Sequence, residues 1–134
     1  MMRSHAKPAI ILSARDYDRL SKLAHAARNS LPDLASELAE EIGRARVLNR
    51  DEIADHFVGM NDEVEFRDDT TAHVRQVTLV YPDEADISQG KISVMTPVGT
   101  ALIGLRIGRS ISWETPSGEA RQLTVLSIRK PQRH

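Results

Sequence analysis

Ile92-Ser93-Val94-Met95-Thr96-Pro97-Val98-Gly99-Thr100-Ala101-Leu102-Ile103-Gly104-Leu105-Arg106-Ile107-Gly108 is the stretch on which the fold turns, because it passes from strand to helix to stop. Ile92 and Val94 flank Ser93 with the period of two expected of a strand. Thr96 is a favoured helix N-cap, and Pro97 suits the first helical position, where no amide donor is needed. Gly104 can take the left-handed conformation that ends a helix. Ala101, Leu102 and Leu105 then press this helix onto a sheet. Capping does not explain Gly99, since glycine inside a helix costs stability unless another backbone comes close. Met95, beside Pro97 and Val98, reads as an exposed docking edge, because methionine adapts to irregular surfaces.

On both sides of this stretch the hydrophobic period is two. Val64 and Phe66 alternate with Glu63, Glu65 and Arg67, while Val77, Leu79 and Tyr81 share one face of the run His73–Tyr81. Ile111 and Trp113 alternate with Ser112 and Glu114, and Leu123, Val125 and Ser127 follow the same rule. Thr115-Pro116-Ser117-Gly118 between them places Pro and Gly where hairpin turns use them. Five short strands and one helix predict an α+β domain over residues 61–134, a mostly antiparallel sheet with a short helix across it.

Residues 1–60 read differently. Ser13 and Asp16 form a capping pair, and Tyr17, Leu20, Ala24 and Ala27 draw one apolar stripe. Asn29-Ser30-Leu31-Pro32 breaks it. Ser30 and Asp33 are a second capping pair, followed by a stripe of Leu34, Leu38, Ile42 and Ala45. This predicts an antiparallel helical hairpin with arms of about 15 residues, or roughly 22 Å. Gly43 lies inside the second arm, where a close backbone approach would explain it. Asn49 and Glu52 predict a third helical turn near Arg50–Ala54, within a linker.

Composition excludes several functions. Eighteen basic residues oppose nineteen acidic ones, and cutting at Met60 leaves nine and nine before it, nine and ten after. A duplex-binding surface that relied on phosphate neutralisation would normally show a basic excess, and the lack of one argues against general DNA or RNA binding. No strong sequence-specific nucleic-acid binding is expected. The chain has no cysteine, so disulfides, thiolate metal sites and a Cys nucleophile are excluded. No apolar run approaches the ~20 residues that span a bilayer, and the mildly basic start has an apolar run of four, too short for a signal-peptide core. A cytoplasmic, monomeric protein without membrane contact is expected.

Asp83-Glu84-Ala85-Asp86 spells the label of an RNA helicase family. A helicase also needs a phosphate-cradling loop, and the nearest candidate, Gly99–Arg106, has Leu105 in place of Lys. Those carboxylates therefore read as a polar turn leaving a strand. The histidines at 5, 25, 56, 73 and 134 lack metal-ligand spacing, and no G-x-S-x-G elbow occurs. Asp62, Glu63, Glu65, Asp68 and Asp69 read as a solvated strand-and-turn face, without the burial that acid–base catalysis requires. No catalytic residue, metal or cofactor is expected.

The quoted stretch, with "LVYPDEAD" before it, "VGMNDEVEFRD" entering the sheet and "SISWETPSGEARQLTVLSI" closing it, resembles the C-terminal domain of the bacterial Gre (GreA/GreB) transcript-cleavage factors. Within that family the short hairpin is similar to a branch tied to the regulation of nucleoside diphosphate kinase. The resemblance implies an FKBP-like domain over 61–134 that docks on core RNA polymerase at the rim of its secondary channel. It assigns docking to Met95, Thr96, Pro97, Val98, Gly99, Ala101 and Leu102. Arg109 departs from it, since relatives usually carry an acidic or amide residue there. Gre factors reach the active centre with a coiled coil about twice as long, whose acidic tip holds a catalytic metal. Here the tip offers Asn29, Ser30 and one carboxylate, Asp33. The resemblance thus implies a polymerase-binding regulator that does not stimulate cleavage and competes with Gre factors, acting indirectly on nucleoside diphosphate kinase levels. Rival readings are direct binding to that kinase, and an FKBP-type prolyl isomerase. The latter needs an aromatic pocket, for which only Phe57, Phe66, Tyr81 and Trp113 are available near this domain.

Overall fold

A computed structural model describes residues 8–48 and 55–131. The expected turn near Arg50–Ala54 lies outside the described residues. Strand β1 (Ile11–Ser13) runs into α1 (Ala14–Ala26) through Ser13, whose Oγ accepts the Asp16 N–H at 3.1 Å. Helix α2 (Pro32–Gly43) returns, and β2 (Arg46–Leu48) pairs with β1 in parallel. That parallel pair was not expected, because three-residue strands so far apart carry no visible period.

The hairpin differs from its expected form in three ways. Its helices have 13 and 12 residues, or about 20 and 18 Å, shorter than the stripes suggested. Ser30 does not cap α2; Leu31 is the N-cap, and its N–H goes back to the Ala27 carbonyl at 2.8 Å. The chain thus turns by continuing the hydrogen bonds of α1, and Pro32 at the first position needs no donor. Gly43 ends α2 with open space where a Cβ would stand, so close backbone approach is not its reason. Leu20, Ala24, Ala27, Leu38 and Ile42 are buried as the stripes require, but Tyr17 is 39% exposed.

Strands β3 (Glu63–Asp68), β4 (His73–Val80), β5 (Lys91–Ser93), β6 (Ser110–Glu114) and β7 (Ala120–Arg129) form one sheet in the order β5-β4-β3-β7-β6. Every pairing is antiparallel except β4 with β5. A bulge in the β3–β7 pairing falls between Glu65 and Phe66 and curls the sheet. The Thr115–Gly118 turn forms as expected, with Gly118 at φ +88° and its N–H on the Thr115 carbonyl at 2.8 Å. Pro82–Glu84 is a 3-10 turn, the polar exit expected of the helicase-like letters.

Helix α3 (Pro97–Leu102) covers the inner face. Val64, Phe66, Val77, Leu79, Leu123 and Val125 point inward and join one apolar cluster with Ala101, Leu102 and Leu105. Leu12, Leu20, Leu38 and Ile42 belong to that same cluster, so hairpin and sheet share a core. Burying a side chain of this size stabilises by about 1.5–3 kcal/mol.

Candidate docking site

The approach to α3 is held by a set of short hydrogen bonds. Ser93 Oγ accepts the Met95 N–H at 2.9 Å, and Thr96 Oγ1 donates to the Ser93 carbonyl at 2.7 Å. The same Thr96 oxygen accepts the Gly99 N–H at 3.0 Å, which is the expected N-cap. Thr100 Oγ1 donates to the Val94 carbonyl at 2.8 Å inside the fold. Four backbone groups of the loop, the Met95 and Gly99 N–H and the Ser93 and Val94 carbonyls, are thus met by the loop's own side chains. Ser93 and Thr100 were missed as contributors, although Ser and Thr near a helix start are the usual sources of such bonds.

Gly99 has the reason that was expected of it. A Cβ there would stand 2.2 Å from the Ser93 carbonyl oxygen and 2.8 Å from Val94 Cα. Gly104, at φ +76°, ends the helix and packs beneath Ile10.

Burial divides the residues assigned to docking. Thr96, Pro97 and Val98 are partly exposed, Val98 also packing against the core. Met95 is 6% exposed, which corrects its reading as an exposed edge: its side chain joins the core. Gly99, Ala101 and Leu102 are likewise buried, so they shape the surface from below. Pro97 lines the mouth of a groove of about 380 Å³. Trp113 forms part of its wall, with the indole N–H buried and without a partner, and Glu37, Glu40, Glu41 and Glu114 lie around it. Arg109 is exposed on the turn that precedes β6.

The far end of the hairpin is about 20 Å of helix away from its base. Asn29, Ser30 and Asp33 are all exposed there, beside Arg28 and the half-exposed apolar side chain of Leu31. Asp33 in the first turn of α2 is favoured by the helix dipole.

The expected solvated acidic face is only partly so. Glu63 and Glu65 do face outward, where Arg129 Nε reaches Glu63 at 2.8 Å and Ser127 donates to Glu65 at 3.3 Å. Asp62 and Asp68 are buried, because partners distant in sequence neutralise them. Asp62 accepts the Lys130 ammonium and the Gly59 N–H, both at 2.6 Å. Burial nevertheless lifts its carboxyl above the ordinary range, the Lys130 and Gly59 bonds offsetting only part of that. Burial also acts to raise Asp68, but the Arg121 guanidinium at 2.8 Å and the Thr70 N–H outweigh it and leave it below the usual value. Asp69, bonded by Thr124 at 2.6 Å and Arg67 at 2.7 Å, is lowered in the same way against its burial. These are structural carboxylates with committed partners.

No group of three or more metal-ligating side chains is present among the described residues, and no helix there is long and apolar enough to cross a membrane.

The family description "Transcription elongation factor, GreA/GreB, C-term" matches residues 53–130, and "Rnk N-terminus" matches residues 8–48. The "Regulator of nucleoside diphosphate kinase" of Escherichia coli (strain K12) is 39% identical over 123 residues, covering 92% of this chain and 90% of that one. "Transcription elongation factor GreA" of Thermodesulfovibrio yellowstonii is 36% identical over 119 residues, 83% of this chain and 75% of the relative. The solved "Prokaryotic transcription elongation factor GreA/GreB from Nitrosomonas europaea" superposes with a TM-score of 0.71 at 37% identity, covering 92% of this chain and 99% of that one. With this curled sheet, its capped helix and the short hairpin before it, the chain belongs to the GreA/GreB transcription elongation factor family, in the branch with an Rnk N-terminus.

Proposed function

We propose that this protein is an RNA polymerase-binding transcription regulator of the Rnk type that docks without stimulating transcript cleavage. Residues 61–134 act as an FKBP-like grip on the secondary-channel rim, with residues 1–60 as a hairpin and linker mounted on it. The contact edge is Thr96, Pro97 and Val98, held in shape by Met95, Gly99, Ala101 and Leu102 beneath. The protein acts as a monomer, competes with Gre factors for the rim, and alters nucleoside diphosphate kinase levels indirectly.

The observation that carries the reading is the hairpin itself. Helices of 13 and 12 residues end in a tip whose carboxylate is Asp33, beside Arg28 and an exposed Leu31. A finger of about 20 Å is too short for a distant active centre, and one carboxylate is a poor ligand set for a divalent cation, which takes several oxygens. Membership in an elongation factor family supports polymerase as the partner. Relatives named as regulators or elongation factors support a non-enzymatic role. For a prolyl isomerase, Phe57 and Tyr81 reach one cavity, Trp113 another, and Phe66 none of the described cavities.

The test is capture of core RNA polymerase by the immobilised protein, with a Pro97→Asp, Val98→Asp variant alongside. Retention by the parent chain and loss in the variant is the expected result. No retention by the parent ends the reading. The name of the Escherichia coli relative favours a second reading, direct binding to nucleoside diphosphate kinase. Co-purification of that enzyme in place of polymerase would establish it.

A further inference from the structure

Beside the base of the hairpin lies a cleft of about 560 Å³, lined by Arg15, Asp16 and Arg19 on one side and by Gly59, Asp62, Tyr81 and Lys130 on the other. The Asp16 carboxylate accepts the Met60 N–H at 3.1 Å, and this bond joins α1 to the segment that enters the sheet. Asp62 lies behind that segment on Lys130, whose ammonium also donates to the Phe57 carbonyl at 2.9 Å. A Cβ on Gly59 would stand 3.2 Å from an Asp16 oxygen, 3.4 Å from an Asp62 oxygen and 3.6 Å from the Lys130 nitrogen. Two carboxylates and one ammonium therefore meet around a single glycine. Three further groups face them. Arg15 and Arg19 come from α1, Arg19 lying 4.2 Å over the Tyr81 ring, and Asp55 borders the cleft. The Tyr81 hydroxyl is buried there without a partner, and Glu84 bears on it from the following turn.

We propose that the Asp16–Asp62–Lys130 cluster is a proton-sensitive clamp that closes the base of the hairpin on proton uptake and loosens when both carboxylates are ionised. Burial withdraws the Asp16 charge from water, and the Met60 N–H together with Lys130, Arg15 and Arg19 replaces only part of that hydration. Opening at Asp16 admits water and restores the rest. The direction of titration agrees: burial raises Asp16 despite its Met60 bond, and burial raises Asp62 despite Lys130, with Asp16 adding to the rise. The sign follows from linkage. A carboxyl that binds its proton more tightly in the closed state favours closure as pH falls through its raised value, and favours opening as pH rises through it. Each unit between the closed and open values is worth about tenfold in the closed-to-open ratio.

The readout is the hydrogen-exchange protection factor of the Met60 amide, followed by NMR in the full chain between about pH 4.5 and about pH 7.5 and corrected for intrinsic exchange. Protection is expected to rise as pH falls. Asp16→Asn keeps an acceptor for the Met60 N–H but carries no charge, so at neutral pH it is expected to protect Met60 better than the parent. Asp16→Leu offers neither and is expected to lose the protection. A structural tie alone would make Asp16→Asn weaker than the parent. Constant protection across the pH range, or Asp16→Asn no better than Asp16→Leu, overturns the proposal. Should Asp16→Leu fail to fold, the parent and Asp16→Asn still decide it.

Discussion

Gly99 passes so close to Ser93 that a single added carbon would stand 2.2 Å from the Ser93 carbonyl oxygen. Backbone lies on both sides of the contact, so no flexible side chain can give way. Gly99→Ala is expected to destabilise the fold by roughly 3 kcal/mol or more, at the upper end of overpacking costs. The denaturant midpoint of the variant against the parent, at equal m-value, checks this. By contrast, Gly43→Ala meets open space and is expected to leave stability unchanged or slightly higher.

The Thr96 hydroxyl does two things, donating to Ser93 and accepting from Gly99. Thr96→Ala removes both and is expected to cost about 1–2 kcal/mol. Thr96→Ser keeps both bonds and is expected to recover most of the stability. If polymerase binding depends on the shape of this loop, capture should follow the same order. Equal capture by Thr96→Ala and the parent would detach the loop from docking.

Asp68 and Asp69 act on acid stability in one direction, opposite to that of the raised Asp16 and Asp62. The Asp68 and Asp69 carboxyls are held below their ordinary value of 3.8 in the fold. Their contribution is therefore present above 3.8 and is lost as pH falls through the lower folded values. Arg121→Gln removes the guanidinium beside Asp68. The acid-unfolding midpoint, followed by circular dichroism, is expected to move to higher pH in that variant. An unmoved midpoint would show that Arg121 contributes nothing to acid tolerance.

Leu38 is fully buried in α2 and belongs to the cluster that also holds Val64 and Leu123. Leu38→Ala is expected to cost about 2–5 kcal/mol. Because the core is shared, helical signal and Trp113 fluorescence should be lost together in one transition. Separate transitions would mean that hairpin and sheet fold as independent units.

Much of this architecture was legible in sequence wherever the cause is local. Thr96, Pro97, Gly99 and Gly104 encode α3 within nine residues, and Thr115–Gly118 encodes its hairpin turn within four. What was not legible depends on partners far along the chain. Asp62 reads as a surface carboxylate until Lys130, 68 residues later, is seen beside it. Asp68 needs Arg121, 53 residues away. Met95, beside Pro97 and Val98, read as an adaptable docking edge, yet its side chain joins the core while its N–H is held by Ser93. Ser30 fits the capping pattern, yet the backbone bond from Leu31 to Ala27 closed the turn one residue later.

The tip is open to a gain-of-function trial. Asn29→Asp with Ser30→Asp places two more carboxylates beside Asp33 at exposed positions. Cleavage is expected to stay at background, because helices of 13 and 12 residues leave the tip short whatever it carries. Cleavage by the acidic variant would show that chemistry at the tip, and not length, is what is missing.

The most direct measurement is transcript cleavage in stalled RNA polymerase complexes, with a fixed amount of a Gre factor and rising amounts of this protein. The expected result is no cleavage by the protein alone and a progressive loss of Gre-stimulated cleavage, weakened by Pro97→Asp with Val98→Asp. Cleavage by the protein alone, or Gre activity untouched by a large excess of it, would contradict a docked but catalytically silent factor.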